Sequence, residues 1–546
     1  MIIKNIDIEE GQLVYSDICI IGGGPAAISL ALELRDIKKN VIVLTGGKLR
    51  ETAFNRELHR GIIEPDCLHV PLEEYRRRQF GGASSVWGGR CLPFEPIDFV
   101  NRDWVNDSGW PLDYKELLPY YKKAAKLTRI GNFKFNVDDM SEEIISGMDS
   151  EYLISTAIER WSPPVNFARE YIKDLKSSNN LKVYINAHAL MICTDFEGDI
   201  VSHVEVYMNG KRFKIAASKF VLAAGGLENP RLLLTSSSLH HPHGMGNKYD
   251  NVGRYYMQHI SGNYAVVYLK DINRIKYDYE RDEQGVYCRR RWRLTDYAQR
   301  ELKLLNTIFF LDHPYGKEEY LASIFSGIVV AKSLMAIASQ KSVKKALHKA
   351  RELSPSLKKH SINLILKGWN QVPNIVKIGL KRINRRRLPS VLPYKKSKYW
   401  GIFFQAEQSP FRESRVTLTN QEKDDLGMPR LKVDFRYNPA DIESVIRAHN
   451  LFISHFQKSG AGSAIYSEEG FRNYLDKHVS GSHHIGTTRM ASSELNGVVD
   501  LNSKVYGIKN LFIAGASVFP TGSHANPMLT IVAQSLRLAN YIKENI

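Results

Sequence analysis

The chain is poor in cysteine, and the few it has exclude two architectures. Five occur in 546 residues, Cys19, Cys67, Cys91, Cys193 and Cys288, scattered without CxxC spacing. An odd, dispersed set fits neither a disulfide framework nor a zinc ribbon, and it suits a reducing compartment. The first twelve residues hold Asp7, Glu9 and Glu10 and lack the apolar core of a secretory signal. A cytoplasmic protein is expected from that. No internal repeat, low-complexity linker or long stretch poor in apolar residues is present, which argues against a disordered chain. With 43% hydrophobic residues and this length, two domains with sizeable cores are expected.

An even spread of positive charge is also missing. The net charge is +17, yet residues 332–398 alone carry 18 Lys plus Arg against one acidic residue, Glu352, and the remainder balances at 57 to 57. No recognition motif accompanies this charge, so nucleic acid is not expected as a partner. The same stretch sets Ile362, Leu366, Trp369 and Ile375 among its cations. Residues 320–398 are therefore expected either to meet an anionic membrane surface, at the inner face of the membrane, or to form a cap or oligomer contact. Residues 320–339 are mostly apolar but interrupted by Lys332, which suits a buried or interfacial helix better than a spanning one. The run Arg76, Arg77 and Arg78 is read as a solvated face.

What is present is a strand, glycine turn, helix and strand over residues 17–44, the pattern of a βαβ unit. Its turn places Gly22, Gly24 and Ala27 in G-x-G-x-x-A spacing. Gly22 allows the tight turn, Gly24 lets a pyrophosphate approach the backbone, and Ala27 permits close helix packing. The helix start would then face phosphates with unpaired N–H groups. An acidic residue for a ribose is absent from the end of the second strand, where Thr45 stands and offers only a hydroxyl. Further strand-to-glycine junctions occur at 220–226 and 510–515, so one nucleotide-binding sheet is expected from distant pieces of chain. Alternating runs at 263–269 and 415–418 suit strands of a sheet covered on one face.

Four motifs then occur in order: FGGASSVWGG at 80–89, VLAAGGLENPR at 221–231, SHHIGTTRM at 482–490, and GASVFPT at 515–521 followed by NPMLT at 526–530. Together they resemble the glucose-methanol-choline (GMC) FAD-dependent oxidoreductases, and the Ser-Ser-x-Trp-Gly form is similar to the pyranose oxidase branch and its bacterial relatives. The resemblance covers 1–260 and 400–546 and leaves the basic insert outside. It implies an α/β fold: a discontinuous Rossmann-like FAD domain (1–95, 185–260, 480–546) and a mixed α+β substrate domain (96–184, 261–479). It further implies cofactor contacts from Gly82, Ser84, Ser85, Trp87, Gly88, Ala224, Gly225, Asn229, Gly515, Ala516, Asn526, Pro527 and Met528. Val86 stands where some relatives link FAD through histidine, so non-covalent FAD is expected.

The implied activity is oxidation of an alcohol on a sugar, amino sugar, polyol or lipid-linked equivalent, with an electron acceptor left open. The family's base and its partner fall on His483 and Asn526. A histidine near neutrality can take a hydroxyl proton while an amide steadies the alkoxide. His484 is the neighbouring alternative; on an extended strand only one of the two would face the flavin. His524 and His259 are further candidates. Glu228 is expected to support the cofactor site, and no metal is expected because no ligand set has the spacing. A lyase that keeps FAD as structure and a noncatalytic membrane-binding flavoprotein are the competing readings.

Overall fold

A computed structural model describes residues 2–3, 8–137, 143–276, 279–312, 398–477 and 481–546, with four single positions inside 313–397. The membrane or cap element expected at 320–398 lies almost wholly outside the described residues.

Apolar runs without alternation build the first sheet. Leu13–Ile21 and Val41–Thr45 end in fully buried residues, as strands covered on both faces do. The order runs Ile2–Ile3, Leu181–Ile185, Val41–Thr45, Leu13–Ile21, Lys211–Leu222, and the long last strand also pairs Leu511–Ile513; all of these pairings are parallel. The antiparallel strands Val201–Met208 and Ala187–Thr194 extend the sheet along the first half of Lys211–Leu222. Three strands therefore reach their carboxyl ends side by side, at Ile21, Leu222 and Ile513, although 492 residues separate the outer two. Helix Pro25–Glu33, with proline in its first turn, packs on this sheet, and the C-terminal helix Met528–Glu544 lies against it and against Tyr114–Thr128.

The second sheet is antiparallel, in the order Gly462–Ile465, His259–Leu269, Tyr399–Glu407, Thr307–Leu311, Tyr287–Leu294, Leu153–Trp161, Arg90–Cys91. The strand period of two divides its faces. Ile402, Phe404 and Ala406 join Trp292 and Phe309 in a core sealed by Val445, Phe452 and Phe456 of helix Pro439–Lys458. Each fully buried Ile, Val or Phe among these contributes roughly 1.5–3 kcal/mol. The alternate residues Phe403 and Gln405 turn the other way, into a cleft against the first sheet. A fully buried bidentate pair, Arg102 to Glu407 at 2.7 Å twice, ties the end of strand Tyr399–Glu407 to the chain that follows Arg90–Cys91.

Leu181–Ile185 thus pairs in the first sheet and Arg90–Cys91 in the second. Among the described residues no helix is long and apolar enough to cross a membrane.

Candidate active site

A cleft of about 830 Å³ runs from the carboxyl ends of the first sheet to the open face of the second. At one end the three strand-to-glycine junctions converge. Gly22 sits at φ +144°, and a Cβ there would meet the Ala223 carbonyl at 2.1 Å, so the first two junctions touch because glycine stands at the turn. Gly24, Gly225 and Gly515 are the reverse case: a Cβ on any of them would meet nothing within 4 Å. All three border the cleft, so their open sides form a cradle. Asn229, buried, holds the junctions together. Its Oδ1 accepts from Ala224 N at 2.9 Å, and its Nδ2 donates to Ser517 Oγ at 2.9 Å. Asn229 therefore shapes the cradle without lining it.

Thr45, Gly82, Trp87, Gly88, Ala224, Ala516, Asn526, Pro527 and Met528 also border the cleft. Ala27 is fully buried in the helix-to-sheet packing, the role its position suggests. Ser84 and Ser85 do not reach the cleft. Ser84 Oγ bonds Gly81 O and accepts from Phe167 N at 3.0 Å, and Ser85 Oγ donates to Gly82 O at 2.9 Å. Both hydroxyls close their own short 3-10 turn, Gly82–Ser85, rather than pointing into the cleft.

The arginine run at 76–78 is not a solvated face. Arg76 and Arg78 turn inward to the two oxygens of Glu228, Arg78 at 2.5 Å, and all three line the cleft. Opposite charges withdrawn from water need such pairing, and the arginines hold the Glu228 carboxyl well below its usual range. His188, whose two ring nitrogens are buried without a partner among the described residues, lies on the same wall. Burial depresses it to about 3. Nothing in the local sequence marks His188, which the strand Ala187–Thr194 delivers to the site.

At the other end stand the histidines. His259 Nδ1 lies 2.7 Å from His483 Nδ1, and His259 Nε2 lies 3.3 Å from Gly522 O. A carbonyl only accepts, so His259 carries its proton on Nε2 and presents a bare Nδ1. His483 must then donate from Nδ1, which leaves its Nε2 unprotonated and facing Asn526 Nδ2 at 3.3 Å. Burial, then the neighbouring His259, His484 and Arg90, holds His483 well below the usual histidine range, so the ring is neutral. Asn526 is steadied by Gln405, whose Nε2 reaches its Oδ1 at 3.4 Å.

His484 borders the cleft too, which departs from the expected alternation. The chain at 482–484 is not a strand; pairing begins only at Ile485 with Met257. The His484 ring lies against His69 and Tyr256, away from Asn526. His524 does not line the cleft: its Nε2 meets Arg291 behind the wall. Away from the cleft, Cys193, His203 and Glu205 bring ligand atoms within 4.8 Å of one another. Strand pairing of Cys193 with His203 creates that set, so it is invisible to sequence spacing.

A parallel sheet ending on a glycine cradle, and a neutral histidine with an unprotonated nitrogen further along the same cleft, are the parts of a nucleotide-cofactor oxidoreductase. A family model described as GMC oxidoreductase matches residues 410–535, so this part of the chain is a GMC oxidoreductase C-terminal domain. It is 32% identical to a C-glycoside 3-oxidase of Arthrobacter globiformis over 25% of each chain. It is 23% identical to a 2-methyl-1,2-propanediol dehydrogenase of Mycolicibacterium austroafricanum over 96% of this chain and 95% of that one. The fold is that of pyridoxine 4-oxidase from Mesorbium loti, with a TM-score of 0.58 at 17% identity, covering 97% and 99% of the two chains.

GMC oxidoreductases are FAD flavoproteins, and the residues present fit that group. The open cradle of Gly24, Gly225 and Gly515 suits a pyrophosphate, the start of helix Pro25–Glu33 favours its charge, and the cleft has the size of a cofactor site.

Proposed function

We propose that the chain oxidises an alcohol carbon of a sugar or polyol, with His483 as base and Asn526 as its partner on the substrate oxygen. One observation carries this: the hydrogen bonds from Gly522 through His259 leave His483 Nε2 without a proton, beside Asn526 at the cleft wall. His483 Nε2 takes the hydroxyl proton, and Asn526 Nδ2 donates to the oxygen as its charge develops. Bound FAD supplies the acceptor for the hydride leaving the carbon. The names of the relatives, a C-glycoside oxidase and a diol dehydrogenase, support a polyhydroxylated substrate.

Val86 lines the cleft where a covalent histidine stands in some relatives and offers no nucleophile, which supports dissociable FAD. Acid precipitation of the loaded protein should release the flavin into the supernatant. The segments 1–95, 185–260 and 480–546 are assigned to the cofactor domain, joined by Leu181–Ile185 through its pairing.

The activity is tested by mixing FAD-loaded protein anaerobically with sugars, amino sugars and polyols while following the flavin absorbance. Bleaching by a member of the panel is expected. Flavin that dithionite reduces but no alcohol bleaches would contradict the proposal.

A further inference from the structure

The wall of the cleft beside the base carries more positive charge than its local partners neutralise. Arg90 and Arg289 both line it, both are more than nine-tenths buried, and both spend their Nε–H on one carboxylate. Glu159 Oε2 takes Arg90 at 2.5 Å and Glu159 Oε1 takes Arg289 at 2.6 Å. Two guanidiniums on one carboxylate leave one positive charge over. The Arg289 guanidinium carbon lies 3.6 Å from the centre of the Phe310 ring and 4.8 Å from that of Tyr279, so the two rings confine it. Arg90 Nη1 donates to Gln405 Oε1 at 3.1 Å, and Gln405 touches Asn526. Its Nη2 is buried with no partner among the described residues. An unpaired donor on a buried cation is costly to maintain and is the natural seat of an anion.

We propose that the cleft takes alcohols that also bear a carboxylate, sugar acids above all, and that Arg90 with Arg289 receives that carboxylate next to the reacting carbon. The inference rests on the alcohol-oxidation reading of the same site. The other charged group bordering this part of the cleft, Asp312, follows Phe310 by two residues on the same face, and Arg289 lies over Phe310, so Asp312 stands on the Arg289 side of the pair. It already accepts from Asn263 Nδ2 at 2.9 Å. A sugar acid would therefore have its carboxylate at the unpartnered Nη2 of Arg90, on the side of the pair next to Gln405 and Asn526. The carboxylate takes no part in the bond changes: the C–H pair leaves as hydride to FAD, the hydroxyl proton goes to His483, and the carbonyl forms.

The test uses the FAD-loaded full chain and matched pairs, gluconate against sorbitol and glucuronate against glucose. Binding is read from the shift of the flavin spectrum and turnover from anaerobic bleaching. The acid of each pair should bind at least ten-fold more tightly than its neutral partner. Arg90→Gln should erase that ratio, and Arg90→Lys should keep part of it. The ratio is insensitive to a general loss of packing, which weakens both partners alike. Should Arg90→Gln fail to fold, the wild type decides alone: malonate must displace gluconate, and glycerol must not. Equal binding of acids and neutral partners, or a preference that survives in Arg90→Gln, would overturn the proposal. Acids that bind without bleaching the flavin would sink the oxidation reading and leave the anion site standing.

Discussion

His259 and His483 meet Nδ1 to Nδ1 at 2.7 Å, and that contact sets where the protons of the site lie. Two neutral imidazoles in this arrangement share one N–H. Because His259 gives its own proton to Gly522 O, the shared one belongs to His483, and the nitrogen facing Asn526 is bare. His259 is thus a positioning residue that acts through His483. His259→Leu should lower kcat/KM by about ten-fold, the worth of one hydrogen bond fixing a ring. His259→Asn, which keeps an acceptor, should recover part of it. A kcat/KM unchanged in His259→Leu would show that the contact does not govern the base.

The depressed His483 also predicts a pH profile. A base must be unprotonated, and burial with the Arg90 charge keeps His483 so well below the ordinary range. The acid limb of kcat/KM should therefore fall below about pH 6.5, where a free histidine titrates. A limb at or above 6.5 would mean that another group is the base.

Stability should fall as the medium is acidified. Burial holds His259 at about 4, while an unfolded histidine takes its proton near 6.5. Between those values the unfolded chain binds more protons, so stability is full above 6.5 and is lost as pH falls towards 4, by about 3 kcal/mol for this group. His188 and His449, each depressed to about 3, act in the same direction. Asp98, pushed up to about 7 by burial, and Asp441, pushed up to about 8, act oppositely: their contribution is full below about 4 and is lost as pH rises. The histidines are more numerous, so the urea midpoint should drop from pH 6.5 to 4.5. A rising midpoint would contradict this balance.

Gly24 offers a way to separate fold from cofactor. Its φ is −86° and a side chain there meets open space, so Gly24→Val costs the empty fold little. The added methyls would stand in the cradle. Purified Gly24→Val should show a near-native unfolding midpoint without FAD and a flavin content reduced at least ten-fold. Full flavin occupancy would place the pyrophosphate elsewhere.

The pair Arg102 and Glu407 is buried completely, and removing one partner strands a charge. Arg102→Met should cost about 3–5 kcal/mol, seen as a lowered urea midpoint. A change below 1 kcal/mol would show that Glu407 is neutralised from elsewhere.

Much of the cofactor end was legible because its constraints are local. A strand, a glycine that must turn tightly and a helix start leave a contiguous mark, so the junctions at 22, 225 and 515 fall where the sequence places them. The hydroxyls of Ser84 and Ser85 close their own turn, a use that a motif read along the chain does not separate from holding a ligand. Arg76 and Arg78 misled because Glu228, 150 residues further on, is what draws them inward. The second end was mostly hidden. His259 and His483 lie 224 residues apart, and Arg90, Glu159 and Arg289 come from three strands whose pairing no local pattern reveals. His484 borders the cleft beside His483 because the chain at 482–484 forms no strand, so strand alternation does not apply there.

The claim that His483 is the base is tested most directly by comparing wild type with His483→Ala at matched FAD content, following anaerobic bleaching of the flavin by an alcohol the wild type oxidises. Loss of the base should slow bleaching by about 10²- to 10⁴-fold while the flavin spectrum and dithionite reduction stay unchanged. Bleaching at the wild-type rate in His483→Ala would contradict the account and move the base to another residue.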